Sequence, residues 1–232
     1  MRTLLSVLIP TVPGREAALH KLLRSLEEQA ARRDDVEVLT LRDARRMSAS
    51  QKRNALMSIA TGRYLVFVDD DDHVAPNYVA AICEGLQRLG QPPDVLCFDA
   101  FVRGFESLGH RPMICRYDPF AEDSHTDTHY IRRANHLMVW RADLARAVPF
   151  VMSGPGEDYE WADAMHRRHR LLGREVTVAR VDEVLYTYRG MVRSDRGMVR
   201  SVMTSVTMGS ATTSSSSSGP SEVSLPSSET SL

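Results

Sequence analysis

Residues 64–68 read YLVFV, a continuous apolar run that passes without a break into four aspartates, Asp69, Asp70, Asp71 and Asp72. A strand that is apolar on both faces has to be covered on both faces, the situation of a central strand in a parallel α/β sheet. The neighbouring segments fit that demand. Residues 3–9 (TLLSVLI) form a short apolar strand closed by Pro10, and 36–41 (VEVLTL) and 94–102 (DVLCFDAFV) are two more. Between them, Ala18, Leu19, Leu22, Leu23 and Leu26 recur at helical spacing. Residues 48–60 read as a helix with Ser48 or Ser50 as N-cap and Gly62 just past its end. Pro76 suits the first turn of a further helix that runs to about Leu89. Strand and helix alternate, which predicts an α/β sheet, largely parallel in its N-terminal half.

The C-terminal half is less regular. A strand at 114–117, a short helix at 142–147 and a clear helix at 157–172, stopped by Gly173, are expected, followed by two short strands near 175–179 and 184–188. From Ser201 the chain is serine-rich and has no Lys, Arg or aromatic residue, so it lacks the apolar surface that would offset the entropy of ordering it. A folded domain over 1–200 and a disordered tail over 201–232 are therefore expected. The whole chain has 232 residues and a formal net charge of −1 from 29 basic and 30 acidic side chains. The tail holds only two charges, Glu222 and Glu229, so the body is also near neutral. That balance gives no overall field for nucleic acid. No run approaches the roughly 18 apolar residues of a membrane span, and Cys83, Cys97 and Cys115 are too scattered for a disulfide framework or a zinc site. The chain reads as cytoplasmic and reduced.

In an open α/β sheet, ligands bind beyond the carboxyl ends of the strands, which is where the four aspartates fall. Adjacent carboxylates repel one another, and a cation relieves the repulsion. Hard divalent ions take carboxylate oxygens and keep positions open for phosphate, which suits magnesium or manganese with a nucleotide. Taken alone, the run reads equally as a solvated acidic turn. It lacks the glycine and the spacing of an EF-hand loop. It also follows the third strand, whereas the aspartates of haloacid-dehalogenase-type phosphatases follow the first.

Four separated segments carry a likeness over roughly residues 4–190. They are SVLIPT (6–11); KRN (52–54) with ATGRYLVFVDDDD (60–72) and Pro76; GEDYEW (156–161); and LYTYR (185–189). In this order they resemble the first strand, the DxD region, the acceptor-side acidic pair and the closing strand of family 2 glycosyltransferases. The resemblance implies a single-domain α/β fold of GT-A type: a Rossmann-like, mixed, mostly parallel sheet flanked by helices. It implies a nucleotide-sugar half over about 1–103 and an acceptor half over about 104–200. The implied reaction is inverting and metal-dependent, with Mn2+ or Mg2+ as cofactor. It moves a sugar from a UDP-linked or similar nucleotide-diphospho-sugar to the hydroxyl of a glycan, protein, small molecule or modified nucleic-acid base. No membrane span and no obligate nucleic-acid partner are implied.

Residue by residue, the resemblance assigns Asp71 to the metal and Asp69 to ribose or, through water, the metal, with Asp70 and Asp72 beside them. Pro10 and Thr11 would approach the nucleobase, Asp43 would hydrogen-bond base or ribose, and Arg53 and Arg189 would meet the diphosphate. Asp158 becomes the general base, and Glu157 shapes the site. Trp161 would stack on a sugar and His136 would line the acceptor cleft; His73 or His136 would either assist a metal or hydrogen-bond a sugar. Each residue also has a plainer reading. Lys52 and Arg53 suit a solvated helix face, Glu157 and Asp158 suit a helix N-terminus, and Trp161 suits a core. Arg42-Asp43-Ala44 stands where the family often has an Asp-Asp pair and a Ser-rich turn, which leaves the base preference open. Two alternatives remain: a nucleotidyltransferase, whose glycine- and arginine-rich loop PTVPGR (10–15) matches poorly, and a glycan- or nucleotide-binding module without turnover.

Overall fold

Apart from the two-residue strand at His73–Val74, the strands of the N-terminal half all run in one direction. The computed structural model describes residues 2–88, 90–103, 113–152, 154, 156–171 and 176–189. In chain order its elements are β1 (Leu5–Thr11), α1 (Glu16–Ala30), β2 (Val36–Arg42), α2 (Ala49–Ile59), β3 (Tyr64–Phe67), β4 (His73–Val74), α3 (Tyr78–Arg88), β5 (Val95–Arg103), β6 (Met113–Asp118), β7 (Ser124–His125), β8 (His129–Arg133), β9 (Val139–Arg141), α4 (Ala142–Arg146), α5 (Glu157–Leu171) and β10 (Val178–Arg189). β1 lies between β2 and β3 and is parallel to both. β9 then enters antiparallel between β3 and β5, so β5 runs with β1 and β3. On the far edge of β5, β10 pairs parallel along almost its whole length. β6 joins β5 beyond β9 and leads to β8 and β7.

Every side chain of β3 is buried, as its unbroken apolar sequence requires. α1 packs beside α3, and α2 beside α4 and against β1. The helices present their apolar stripes inward: Leu22 and Leu26 from α1, Leu56 and Met57 from α2, Ile82 and Leu86 from α3. Each such side chain, fully buried, contributes about 1.5–3 kcal/mol. Cys83, Cys97 and Cys115 are free thiols inside this core, where burial pushes them up to about 11, 12 and 12. Among the described residues no helix is long and apolar enough to cross a membrane.

Several boundaries differ from the sequence reading, each for a physical reason. β1 does not stop at Pro10 but continues to Thr11. Its pairing with β3 ends at Leu8, so the missing N–H of Pro10 costs no ladder bond on that edge. Ser48 is the N-cap of α2, in a full capping box with Gln51. Gly62, however, is not a helix cap. A Cβ there would lie 2.5 Å from Ser6 Oγ and 2.7 Å from Ser6 N, so glycine is required for close approach to β1. The two expected C-terminal strands are one strand, β10, with irregular register at 180–184 and 184–186. β9 was not foreseen, since three residues are too few to show a period. Leu89, Leu172, Gly173, Glu175 and the serine-rich segment from Ser201 lie outside the described residues.

Two features of this topology assemble a site. The C-terminal ends of β1, β2 and β3 lie side by side, and β4 pairs with β10 through Tyr186↔Val74 and Thr187↔His73. The residues after β3 are thereby brought against the last strand of the fold.

Candidate active site

Asp69–Asp72 forms a tight turn in which the Asp72 N–H donates to the Asp69 carbonyl at 3.1 Å. The turn sends the four carboxylates in different directions. Asp70 and Asp72 are buried, at 2% exposure each. The side chains of Asp69 and Asp71 keep 25% and 34%. The alternate pair is thus the open one.

Asp72 accepts from the Tyr186 hydroxyl at 2.7 Å and from the Arg189 N–H at 2.7 Å. The same Tyr186 oxygen accepts the Asp69 N–H at 3.1 Å. Burial, reinforced by the charge of Asp69, pushes the Asp72 carboxyl up to about 8. Arg189, assigned to the diphosphate, instead meets the turn through its backbone, and its guanidinium lies 3.5 Å from His73 Nε2. Tyr186 sits inside the quoted LYTYR segment, but its hydroxyl had no assigned role.

Arg53 is not on a solvated face and does not face outward. Its side chain is 5% exposed, flanked by the rings of Phe67 and Phe150 at 6.0 and 5.4 Å. Nη2 donates to Asp69 Oδ1 at 3.0 Å and Nη1 to Glu157 Oε1 at 2.7 Å. His136 completes the cluster, with Nε2 3.3 Å from Arg53 Nη2 and 3.6 Å from Asp69 Oδ2. Burial opposes the charge on Asp69, but Arg53 and His136 outweigh it and hold this carboxyl well below the usual range. Arg53 is therefore a bracket behind the site. His136, 3% exposed, supports Asp69 and does not line an open acceptor cleft.

Lys52 is buried as well. Its Nζ lies 2.5 Å from Asp43 Oδ1 and donates to the Thr11 carbonyl at 2.7 Å. The other oxygen of Asp43 accepts the N–H groups of Arg46 and Met47, at 2.5 and 2.7 Å. Lys52, first through its hydrogen bond, holds Asp43 down to about 2. Asp43 and the Thr11 carbonyl are thus joined by Lys52 into one lip, beside Pro10. Asp43 organises the turn after β2, and the side chain of Thr11 is buried.

The residues that the resemblance assigns to the acceptor side begin in the first turn of α5. Glu157 is engaged by Arg53, whereas no described residue pairs with Asp158. Asp158 is close enough to Arg53 to favour its charge. Trp161 is core: it is 2% exposed, donates from Nε1 to the Val148 carbonyl at 2.7 Å, and stacks on Phe150 at 4.9 Å. It cannot stack on a sugar. The exposed aromatic of this turn is Tyr159, at 52%.

Arg15, which the sequence reading passed over, reaches the open side of the turn. Nη1 lies 2.5 Å from Asp70 Oδ1 and Nη2 3.2 Å from Asp71 Oδ2. Even so, burial and the charges of Asp69 and Asp70 keep the Asp71 carboxyl above its ordinary value. Negative charge at Asp71 is under-compensated, and Asp70 Oδ2 is buried without a partner. Among the described residues no group of three or more His, Cys, Asp or Glu side chains is arranged to hold a metal alone. Two hard oxygen donors on an open turn fit a divalent ion that completes its shell with phosphate or water. A separate cleft of about 960 Å³ opens beside Thr61, Arg63 and Thr177, near the opposite strand ends. Its Arg141 is held by Asp94 and Asp143, and its Arg146 by the Met57 and Ala60 carbonyls.

No family model matches the sequence, and no curated protein is significantly similar to it. Solved structures are. S. aureus TarS 1-349 in complex with UDP-GlcNAc superposes with a TM-score of 0.57 at 15% identity, covering 82% of this chain and 59% of TarS 1-349. The mannosyltransferase PcManGT from Pyrobaculum calidifontis, in complex with GDP-Man and Mn2+, gives 0.52 at 17% identity, covering 85% of this chain and 59% of that one. Glucosyl-3-phosphoglycerate synthase from Mycobacterium tuberculosis, with Mg2+ and UDP, gives 0.51 at 15%, covering 82% and 72%. These are GT-A-type glycosyltransferases, and this chain has their fold. It spans about three fifths of the first two.

Proposed function

We propose that the protein is an inverting glycosyltransferase that takes its sugar from a nucleotide-diphospho-sugar, UDP-linked, and passes it to an acceptor hydroxyl. One observation carries this reading. The open carboxylates Asp69 and Asp71 after β3 and the carboxylates at the start of α5 are drawn to one place by Arg53, which bridges Asp69 and Glu157. On this reading the nucleotide-sugar half covers about 1–103 and the acceptor half about 104–200.

Asp69 and Asp71 would hold Mn2+ or Mg2+, the ions that accompany nucleotide in the solved structures of similar fold. Bound there, the ion supplies positive charge against the departing diphosphate. Asp158, unpaired among the described residues, removes the proton from the acceptor hydroxyl. The resulting oxygen attacks the anomeric carbon from the face opposite the diphosphate, whose C–O bond breaks with inversion. Arg53 and His136 keep Asp69 ionised and fixed, while the Lys52-tied lip of Thr11 and Asp43 borders the nucleoside. Tyr159 offers an exposed ring for the acceptor.

The test is thermal stabilisation by UDP. It should need Mn2+ or Mg2+ and vanish in Asp71→Ala; stabilisation indifferent to metal would remove the metal from the account. Stabilisation without turnover of any donor would favour a nucleotide-binding module.

A further inference from the structure

Arg15 is placed to do two opposed things at the acidic turn. Its backbone is fixed: it is the N-cap of α1, with φ −112° and ψ 14°, and its carbonyl accepts the Leu19 N–H at 3.0 Å. The preceding Gly14 has φ +94°, a conformation that favours glycine, and its N–H donates to the Glu16 carboxylate at 3.0 Å. The side chain has unequal holds. At Asp70, which is 2% exposed, the contact is 2.5 Å; at Asp71, which is 34% exposed, it is 3.2 Å. Charge-assisted hydrogen bonds between guanidinium and carboxylate normally fall at about 2.7–2.9 Å, so the Asp71 contact is the long one. It is also the one that water and salt screen more. Arg15 itself is 37% exposed, so part of its side chain remains in solvent.

We infer that Arg15 is the resident counter-cation of the acidic turn, hinged on Asp70, and that it releases Asp71 to a divalent cation and turns its freed edge to the phosphate of the nucleotide. This rests on the reading of Asp69 and Asp71 as the cation donors. A guanidinium and a divalent ion on one carboxylate repel each other, and the long contact is the one that yields. The hinge at Asp70 keeps the guanidinium beside the turn, where a diphosphate offers the bidentate partner its geometry suits. Arg15 therefore opposes the cation when nucleotide is absent and assists nucleotide once the cation is present.

The experiment measures Mn2+ binding to the nucleotide-free protein by electron paramagnetic resonance, and UDP binding at saturating Mn2+ by calorimetry. Wild type, Arg15→Ala, Arg15→Lys and Asp71→Ala are compared, with unfolding curves to confirm that each is folded. Arg15→Ala should bind Mn2+ about two- to fivefold more tightly, the scale of a half-exposed ion pair. It should bind UDP about tenfold more weakly, the scale of a lost charged hydrogen bond. Arg15→Lys, which keeps charge without the fork, should lie between on both. Unchanged or weaker Mn2+ binding in Arg15→Ala, with Asp71→Ala still abolishing it, overturns the role of Arg15 and leaves the cation site standing. No Mn2+ binding by wild type or Arg15→Ala overturns both.

Discussion

Arg53→Ala removes the cation that bridges Asp69 and Glu157, and the structure says what is left behind. The guanidinium is 5% exposed and flanked by two aromatic rings, so neither carboxylate gains solvent in exchange. Breaking a buried ion pair by deleting one partner costs about 3–5 kcal/mol, mostly the penalty of an uncompensated charge. At about 2–4 °C per kcal/mol for a domain of this size, Tm should fall by roughly 6–20 °C. The loss should depend on pH. Asp69 in the wild type ionises below its unfolded value of about 3.9, so its contribution is present above that value and is lost as the pH falls through the lower folded one. Without Arg53, burial is no longer outweighed at Asp69, so its folded value rises and protonation relieves the strain. The gap between wild type and variant is therefore widest near about pH 8 and narrows towards about pH 5. Thermal unfolding of wild type, Arg53→Ala and Arg53→Lys across that range is the assay. Arg53→Lys should be intermediate, since one ammonium cannot span both carboxylates as the fork does. A Tm within 2 °C of wild type at both ends of the range would refute the bracket.

Asp158→Asn should bind donor normally and turn over about 10²–10⁴-fold more slowly, as expected for a lost general base; retained kcat would remove Asp158 from that role. Trp161→Ala should lower stability by about 3–5 kcal/mol in denaturant unfolding, whereas Tyr159→Ala should leave stability unchanged and raise the acceptor KM. The reverse pattern would return the acceptor role to Trp161. Asp72, whose folded value of about 8 lies above its unfolded one, favours the fold at low pH and loses that contribution as the pH rises through 8. Asp72→Asn should therefore gain on wild type as the pH rises in unfolding assays; a constant difference would contradict the raised carboxyl.

What could be read in the sequence is what local pattern decides. The unbroken YLVFV required burial on both faces, and β3 has it. The DxD resemblance singled out Asp69 and Asp71, and these are the two carboxylates of the turn that stay partly exposed. Side chains whose partners are remote in sequence were misread. Lys52 and Arg53 are adjacent charges on a helix, a pattern that ordinarily means solvent, yet Arg53 is matched by Glu157, 104 residues away. Lys52 is matched by the carbonyl of Thr11, 41 residues away. Trp161 and His136 next to site motifs suggested ligand contact, but Trp140, Val148 and Phe150 enclose Trp161, and Phe67, Arg53 and Asp69 pack around His136. Arg15 belongs to no motif, and only the return of β3 beside β1 puts it against Asp70 and Asp71.

The central claim is that the Asp69–Asp71 turn and the first turn of α5 form a single transferase site. Release of nucleotide diphosphate from a series of UDP- and GDP-sugars, with and without Mn2+ and Mg2+, tests it most directly. The account predicts metal-dependent release from at least one donor by wild type, UDP-linked, with release lost in both Asp71→Ala and Asp158→Asn. Silence across every donor and metal, or release that survives both substitutions, would contradict it.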